Sequence, residues 1–153
     1  MKISVYTDGS TRGNGKQNSY GGWGFVVVNE DQIPIFYSSG NERNTTNNRM
    51  ELTAVFEGCL QTVKDAAVGH DIIIYTDSAY IANCYKQKWY RNWETNNWVT
   101  SNKTPVKNKE LWEKLIPYFE SPRYTIEKVR GHADNEFNNM ADMLATSASA
   151  ELV

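Results

Sequence analysis

The sequence predicts an α/β fold: a five-stranded mixed sheet flanked by helices. Three observations point to it. Strand-like and helix-like apolar patterns interleave through the second half of the chain, which is typical of parallel strands joined by helices. The run at 71–76 is largely apolar, as expected for a strand buried on both faces. The short polar link at 29–32 favours a hairpin, so the sheet should also contain antiparallel strands.

The first half of the chain should supply three strands, at 2–8, 23–29 and 34–39. In the first of them, apolar and polar residues alternate, which is the pattern of a half-buried strand. A polar, glycine-rich stretch from Gly9 to Gly22 separates it from the second. The expected order of elements along the whole chain is β-β-β-α-β-α-α-β-α.

The first helix should follow the polar segment 43–48, which offers several possible N-caps. Its apolar residues recur at helical spacing from Leu52 to Val63. The later elements are, in order, a strand at 71–76, helices at 78–90 and 109–119, a strand at 123–129 and a closing helix at 135–150.

Composition limits the class of protein. The chain has 153 residues, 40% of them hydrophobic and 22% charged, which excludes a disordered tail, a collagen-like fibre and a coiled coil. We expect one domain over 1–153. Cys59 and Cys84 fit no disulfide or metal-binding spacing, which indicates free thiols. The longest aliphatic runs are far shorter than the ~18 residues of a membrane span, and the first residues lack a signal-peptide pattern. We therefore expect a cytoplasmic protein without a membrane partner.

Two strands end on the same short pattern. Tyr6-Thr7-Asp8-Gly9 closes the first strand and Tyr75-Thr76-Asp77-Ser78 closes the fourth. Parallel neighbours lie about 4.8 Å apart, so matching registers would put Asp8 and Asp77 side by side. Two carboxylates that close repel each other unless a proton or a cation lies between them, and Mg²⁺ prefers oxygen ligands. Each Asp alone could instead be a turn or helix-cap residue.

Further candidates are open on spacing alone. Glu51 lies early in the first helix and Asp142 lies off the apolar stripe of the last helix, but Glu57 and Glu136 are equally possible. His132 lies in a glycine-flanked loop, where an imidazole suits proton transfer, although an exposed loop histidine needs no function.

The span 86–109 differs in charge from the rest of the chain. It has six basic residues and one acidic residue, a net charge of +5, whereas the whole chain has a net charge of −2. Trp89, Trp93 and Trp98 lie within it. Cations pair with phosphates and flat rings stack on sugars and bases, so this basic aromatic arm indicates nucleic-acid binding. Core tryptophans on an amphipathic helix are the alternative, and Trp112 just beyond the arm is expected to be in the core.

Five blocks of the sequence, in the same order and at near-family spacing, closely resemble ribonuclease H of the bacterial single-domain type. The blocks are Tyr6–Ser10, Thr45–Leu52, Tyr75–Ser78, Pro105–Asn108 with Leu111-Trp112, and Gly131–Ala133. The resemblance covers nearly the whole chain. It implies a five-stranded mixed sheet and hydrolysis of the RNA strand of RNA–DNA hybrids, without sequence specificity, leaving 5′-phosphate and 3′-hydroxyl ends. It also implies two Mg²⁺ ions per site, for which Mn²⁺ substitutes, and a monomer.

The resemblance also implies the site residues. Asp8, Glu51, Asp77 and Asp142 look like metal-binding carboxylates, with Asp8 bridging both ions, and His132 would assist proton transfer or product release. The substrate contacts implied are ribose 2′-hydroxyls for Asn14 and Asn47, a DNA-strand phosphate for Thr46 and Asn108, and DNA sugars for Trp89 and Trp93.

Two other functions are compatible with parts of this pattern. A catalytically silent hybrid-binding module would be expected to lack one of the four carboxylates, and none is missing. Another nuclease on the same fold, such as a resolvase or integrase core, lacks the Asn47–Glu51 segment and the tryptophan arm. Such enzymes cut DNA, so the strand that is cleaved separates them.

Overall fold

The computed structural model describes residues 2–14, 16–64, 70–129 and 135–152. The elements are β1 (Lys2–Arg12), β2 (Tyr20–Val28), β3 (Pro34–Arg43), α1 (Asn47–Lys64), β4 (Asp71–Thr76), α2 (Ala79–Gln87), α3 (Trp89–Thr95), α4 (Lys109–Phe119), β5 (Tyr124–Lys128) and α5 (Glu136–Ala150). The expected elements are all present, and α3 is additional.

The five strands form one mixed sheet in the order β3-β2-β1-β4-β5. β2 pairs antiparallel with both β1 and β3, whereas β4 pairs parallel with β1 and with β5. This confirms the predicted combination of a hairpin edge with parallel strands. The register of β1 and β4 aligns Tyr6 with Tyr75, so the two Thr-Asp patterns follow at matching positions.

The sheet has a core on each face. Side chains of β1 alternate between them: Ile3 and Val5 pack in the larger core with α1, α2, α3 and α4, while Tyr6 packs in the smaller core under α5. Trp112 of α4 is 1% exposed, as expected from the sequence. Cys59 and Cys84 are buried free thiols.

Several boundaries differ from the expected ones: β2 begins at Tyr20 rather than at residue 23, and β3 continues to Arg43 rather than ending at residue 39. β1 continues to Arg12 because its hairpin pairing with β2 extends as far as the pair Arg12 and Tyr20. The single helix expected at 78–90 is two helices, because Lys88 adopts a left-handed conformation with φ of 55° and ends α2. No helix in the described parts of the chain is both long and apolar enough to cross a membrane.

Candidate active site

The carboxylates of Asp8 and Asp77 come together where β4 ends. Asp77 directly follows Thr76, the last residue of β4, and Asp8 lies two positions beyond the aligned pair Tyr6 and Tyr75. The sequence predicts Asp8 at the end of β1. Asp8 instead lies within the strand, because pairing with β2 extends β1 to Arg12. Asp8 is 6% exposed, whereas Asp77 is half-buried. Asp77 adds negative charge to the surroundings of Asp8.

Glu51 reaches the same place from α1. Its Oε1 accepts a hydrogen bond of 2.6 Å from the backbone N–H of Gly9, and its Oε2 accepts one of 3.4 Å from the Thr76 hydroxyl. Gly9 allows this approach because a Cβ there would lie 2.6 Å from the backbone nitrogen of Glu51. A glycine in β1 therefore sets the distance between the sheet and this carboxylate.

Asp142 comes from α5 on the other face of the sheet. Gly24, the β2 partner of Asp8, lies against this helix: a Cβ there would be 3.0 Å from the carbonyl oxygen of Ala141. The close packing of α5 brings the carboxyl of Asp142 within hydrogen-bonding reach of Asp8. α1 and α5 thus each contribute a carboxylate to the surroundings of Asp8 in β1, and Asp77 adds a further one directly after β4.

The clustering changes the acidity of the buried members. Burial, the charge of Glu51 and hydrogen bonds to Asp142 and Glu51 raise the pKa of Asp8 to about 10. Burial raises the pKa of Glu51 to about 7, against the lowering effect of the hydrogen bonds from Gly9 and Asp8. The raised pKa favours a protonated Asp8 carboxyl at neutral pH, whose single O–H donates to a neighbouring carboxylate in place of a cation.

The chemistry of this cluster fits hard divalent cations, since every donor is a carboxylate oxygen and the group carries excess negative charge. Within the described ranges, no three His, Cys, Asp or Glu side chains are already arranged around a common point. The Asp8 carboxyl instead hydrogen-bonds to both Glu51 and Asp142. The residues fit a metal by type and proximity, with the proton on Asp8 balancing part of the charge.

A polar groove of about 530 Å³ lies beside the start of α1. Its lining includes four of the predicted substrate-binding residues: Asn14, Thr46, Asn47 and Asn108. The backbone N–H of Asn47 donates to Asn14 Oδ1 at 2.9 Å, which fixes the Asn14 amide at the N-terminus of α1. The structure therefore brings together side chains that are up to 94 positions apart in the sequence.

A second groove, of about 820 Å³, lies along α3 and contains the two remaining predicted contacts, Trp89 and Trp93. Trp89 is half-buried. Trp93 is only 8% exposed and packs against Trp98 and Trp112, so most of its ring belongs to the core. The groove can therefore offer a larger ring surface at Trp89 than at Trp93.

Tyr80 is a site candidate that the sequence analysis missed. Its side chain lines both grooves, is 41% exposed and packs edge-to-face against Trp89. The sequence feature that could have identified Tyr80 is its position three residues after Asp77, at the start of α2. Tyr80 makes the two grooves one continuous surface.

The charge of the basic aromatic arm is partly neutralised. Both Nε and Nη2 of Arg91 donate to Glu120, at 3.0 and 2.9 Å, and Lys86 lies 3.9 Å from Glu127. Lys103 and Lys107, by contrast, are exposed and line the second and first grooves respectively. Lys103 and Lys107 are therefore more available to a bound polyanion than Lys86 and Arg91 are.

His132 lies outside the described residues, within 130–134.

Comparisons with known proteins agree with this fold. The family model RNase H matches residues 1–150. Ribonuclease H of Clostridium botulinum strain Hall is 45% identical over 150 residues, covering 98% of this chain and 97% of the relative. Ribonuclease H of Chlorobium limicola is 43% identical over 151 residues, covering 96% and 94%. Among solved structures, the solution structure of the PFV RNase H domain superimposes with a TM-score of 0.79 at 26% identity, covering 97% of this chain and 94% of that one.

The fold, the carboxylate cluster and these matches define a nuclease of the hydrolase class. The chain belongs to the ribonuclease H family.

Proposed function

We propose that this protein is an endoribonuclease that hydrolyses the RNA strand of RNA–DNA hybrids with two bound Mg²⁺ ions. The observation that carries the proposal is the cluster of four carboxylates around Asp8, together with a groove at the start of α1 that gathers four polar side chains. Cleavage leaves 5′-phosphate and 3′-hydroxyl ends. It is independent of sequence, because A-form-like duplexes hide their base edges in a deep, narrow groove.

The four carboxylates would hold the metal ions. Asp8 would bind both, Asp142 would help hold the one near the attacking water, and Glu51 and Asp77 would hold the one near the leaving 3′ oxygen. When bound, two divalent ions stabilise both the attacking and the leaving oxygen of an in-line displacement. Mn²⁺ substitutes for Mg²⁺. The pKa of Asp8, raised by burial and by the neighbouring carboxylates, supports this assignment, because a cation would displace the proton and balance the negative charge of the cluster.

The first groove would recognise the sugar-phosphate backbones. Asn14 and Asn47 would contact ribose 2′-hydroxyls, the group that distinguishes RNA from DNA. Because Asn14 Oδ1 already accepts from the Asn47 backbone, its side-chain NH₂ is left to donate to the substrate. Thr46 and Asn108 would hold a DNA-strand phosphate.

The second groove would accept the DNA strand further along. Trp89 would stack on a deoxyribose, and Trp93 would contribute the edge that it exposes. His132 would assist proton transfer or product release. A monomeric state, a single domain over 1–153 and a cytoplasmic location remain predictions from the sequence.

Cleavage of three matched duplexes tests the proposal. An RNA–DNA hybrid, an RNA duplex and a DNA duplex of one sequence are incubated with Mg²⁺, Mn²⁺ or EDTA. We expect cleavage of the RNA strand of the hybrid alone, and only with metal. Hybrid that is bound but left whole with both metals would make the protein a silent binding module, and cut DNA would indicate another nuclease.

Two carboxylates of α1 provide a matched pair of variants. Glu51→Gln should abolish cleavage, because it removes a carboxylate of the cluster. Glu57→Gln, about 1.7 turns further along the same helix, should cleave like the wild type. Equal activity of the two variants would contradict the assignment of Glu51.

A further inference from the structure

Arg49, in the first turn of α1, connects three elements beside the first groove. Its Nε donates to Glu42 of β3, and its Nη1 donates to Glu110 of α4. The same Nη1 lies 3.4 Å from Oδ1 of Asn108, the residue that precedes α4. One guanidinium group thus contacts a residue of the proposed phosphate site.

Arg49 is itself poorly placed to bind a phosphate. Its side chain is 29% exposed and lies between two carboxylates, which balance its positive charge. The guanidinium in turn holds the pKa of Glu110 below its usual range, so that carboxyl stays ionised. The direct contacts of Arg49 are therefore with protein groups, and any effect on a substrate must pass through them.

Asn108 is the group through which Arg49 can act. Its φ of 61° places it at the N-terminal boundary of α4, and its side chain makes no capping hydrogen bond to that helix. Since Oδ1 faces the guanidinium, the amide NH₂ is left to donate to something else. The groove that Asn108 lines with Thr46 is where such an acceptor would lie.

We propose that Arg49 is a positioning residue for DNA-strand binding, an inference that rests on the proposed function. It fixes the Asn108 amide with its NH₂ available to a phosphate oxygen. A guanidinium suits this role because its Nε pairs with Glu42 while its Nη1 donates to both Glu110 and Asn108.

Steady-state kinetics on a hybrid provide the first test. We expect Arg49→Gln to raise KM about tenfold with kcat within about twofold, because a hydrogen bond to a charged phosphate is weakened while the carboxylate cluster is intact. Arg49→Lys retains a cation and should lose less. Glu42→Gln removes the ion pair that Arg49 makes through Nε, whereas Asn108 is contacted through Nη1. The KM of this variant should therefore stay within about twofold of the wild type.

A double-mutant cycle separates positioning from general destabilisation. Asn108→Gly removes the amide, and glycine adopts a positive φ without strain. If Arg49 acts through Asn108, the double variant should have the same KM as Asn108→Gly alone. Additive effects on KM, or equal losses in kcat and KM that follow thermal stability, would overturn the proposal.

Modified substrates provide an independent readout. Hybrids with one uncharged methylphosphonate, moved along the DNA strand, should show one position at which the wild type loses affinity. Arg49→Gln should be insensitive at that position. If the wild type cleaves hybrids and Arg49→Gln shows the same loss of affinity at that position, this inference alone is contradicted. If the wild type leaves hybrids uncut, the proposed function is contradicted.

Discussion

Replacing Asp8 by Asn should stabilise the metal-free protein while abolishing its activity. Asp8 is almost fully buried, and its pKa rises from 3.8 to about 10 in the folded state because of burial and the neighbouring carboxyls of Glu51 and Asp142. The folded protein therefore holds a proton at pH 7 that the unfolded chain has released. Asn resembles the protonated carboxyl, since its NH₂ can donate to the same neighbours without proton uptake.

The size of the effect follows from this shift. Each pH unit between the unfolded pKa of 3.8 and the working pH costs about 1.36 kcal/mol of folding free energy, which amounts to about 4 kcal/mol at pH 7. Relaxation of the cluster reduces the gain, so we expect Asp8→Asn to raise the free energy of unfolding by about 2–4 kcal/mol. Because the folded pKa is raised, this part of wild-type stability is fully present below pH 3.8 and is lost as the pH rises towards about 10.

Urea unfolding in EDTA at pH 4, 7 and 9 measures this. The advantage of Asp8→Asn over the wild type should be small at pH 4 and grow with pH. Asp31→Asn, which changes an exposed carboxylate in the turn between β2 and β3, should stay within about 0.5 kcal/mol of the wild type. An Asp8→Asn variant that is no more stable than the wild type at pH 7, or a constant difference across the three pH values, would refute the reasoning.

Three further outcomes are expected. Mg²⁺ at ten times its Kd should stabilise the wild type by about 1.4 kcal/mol and Asp8→Asn much less, as measured by thermal melting; equal shifts would indicate binding elsewhere. Gly9→Ala should cost about 1–3 kcal/mol and most of the activity, because its Cβ would meet the backbone of Glu51, and normal cleavage would contradict that. Lys103→Ala and Lys107→Ala should each reduce the salt slope of hybrid binding by about 1, whereas an unchanged slope would exclude phosphate contacts there.

Much of the fold could be predicted because its determinants are local. Alternation, helical spacing and turn residues identified every strand and four of the five helices. The division of the helix expected at 78–90 could not be predicted, because it depends on one residue, Lys88, adopting a positive φ that its type does not favour. The longer β1 was missed for a different reason: pairing with β2 holds a glycine-rich, polar segment in a strand.

The candidate site was predictable only in part. The repeated Thr-Asp pattern indicated Asp8 and Asp77 because parallel register is a simple consequence of strand order. Spacing alone could not prefer Glu51 to Glu57, since that choice depends on which turn of α1 approaches Gly9. The net charge of the arm overstated how many of its cations are free to bind a nucleic acid, because two of them pair with acidic residues that lie outside the arm in the sequence.

Gly9 and Gly24 lie where the sheet meets the helices that carry Glu51 and Asp142, so the spacing of these carboxylates depends on close contact between strand and helix. Gly9 sets how closely α1 approaches β1, and Gly24 does the same for α5 and β2. At both contacts the helix lies where a Cβ on the strand would meet it, so no larger residue fits without a shift of the helix. Efforts to engineer thermostability should therefore leave these glycines unchanged and use substitutions of conserved volume in the cores under α1 and α5.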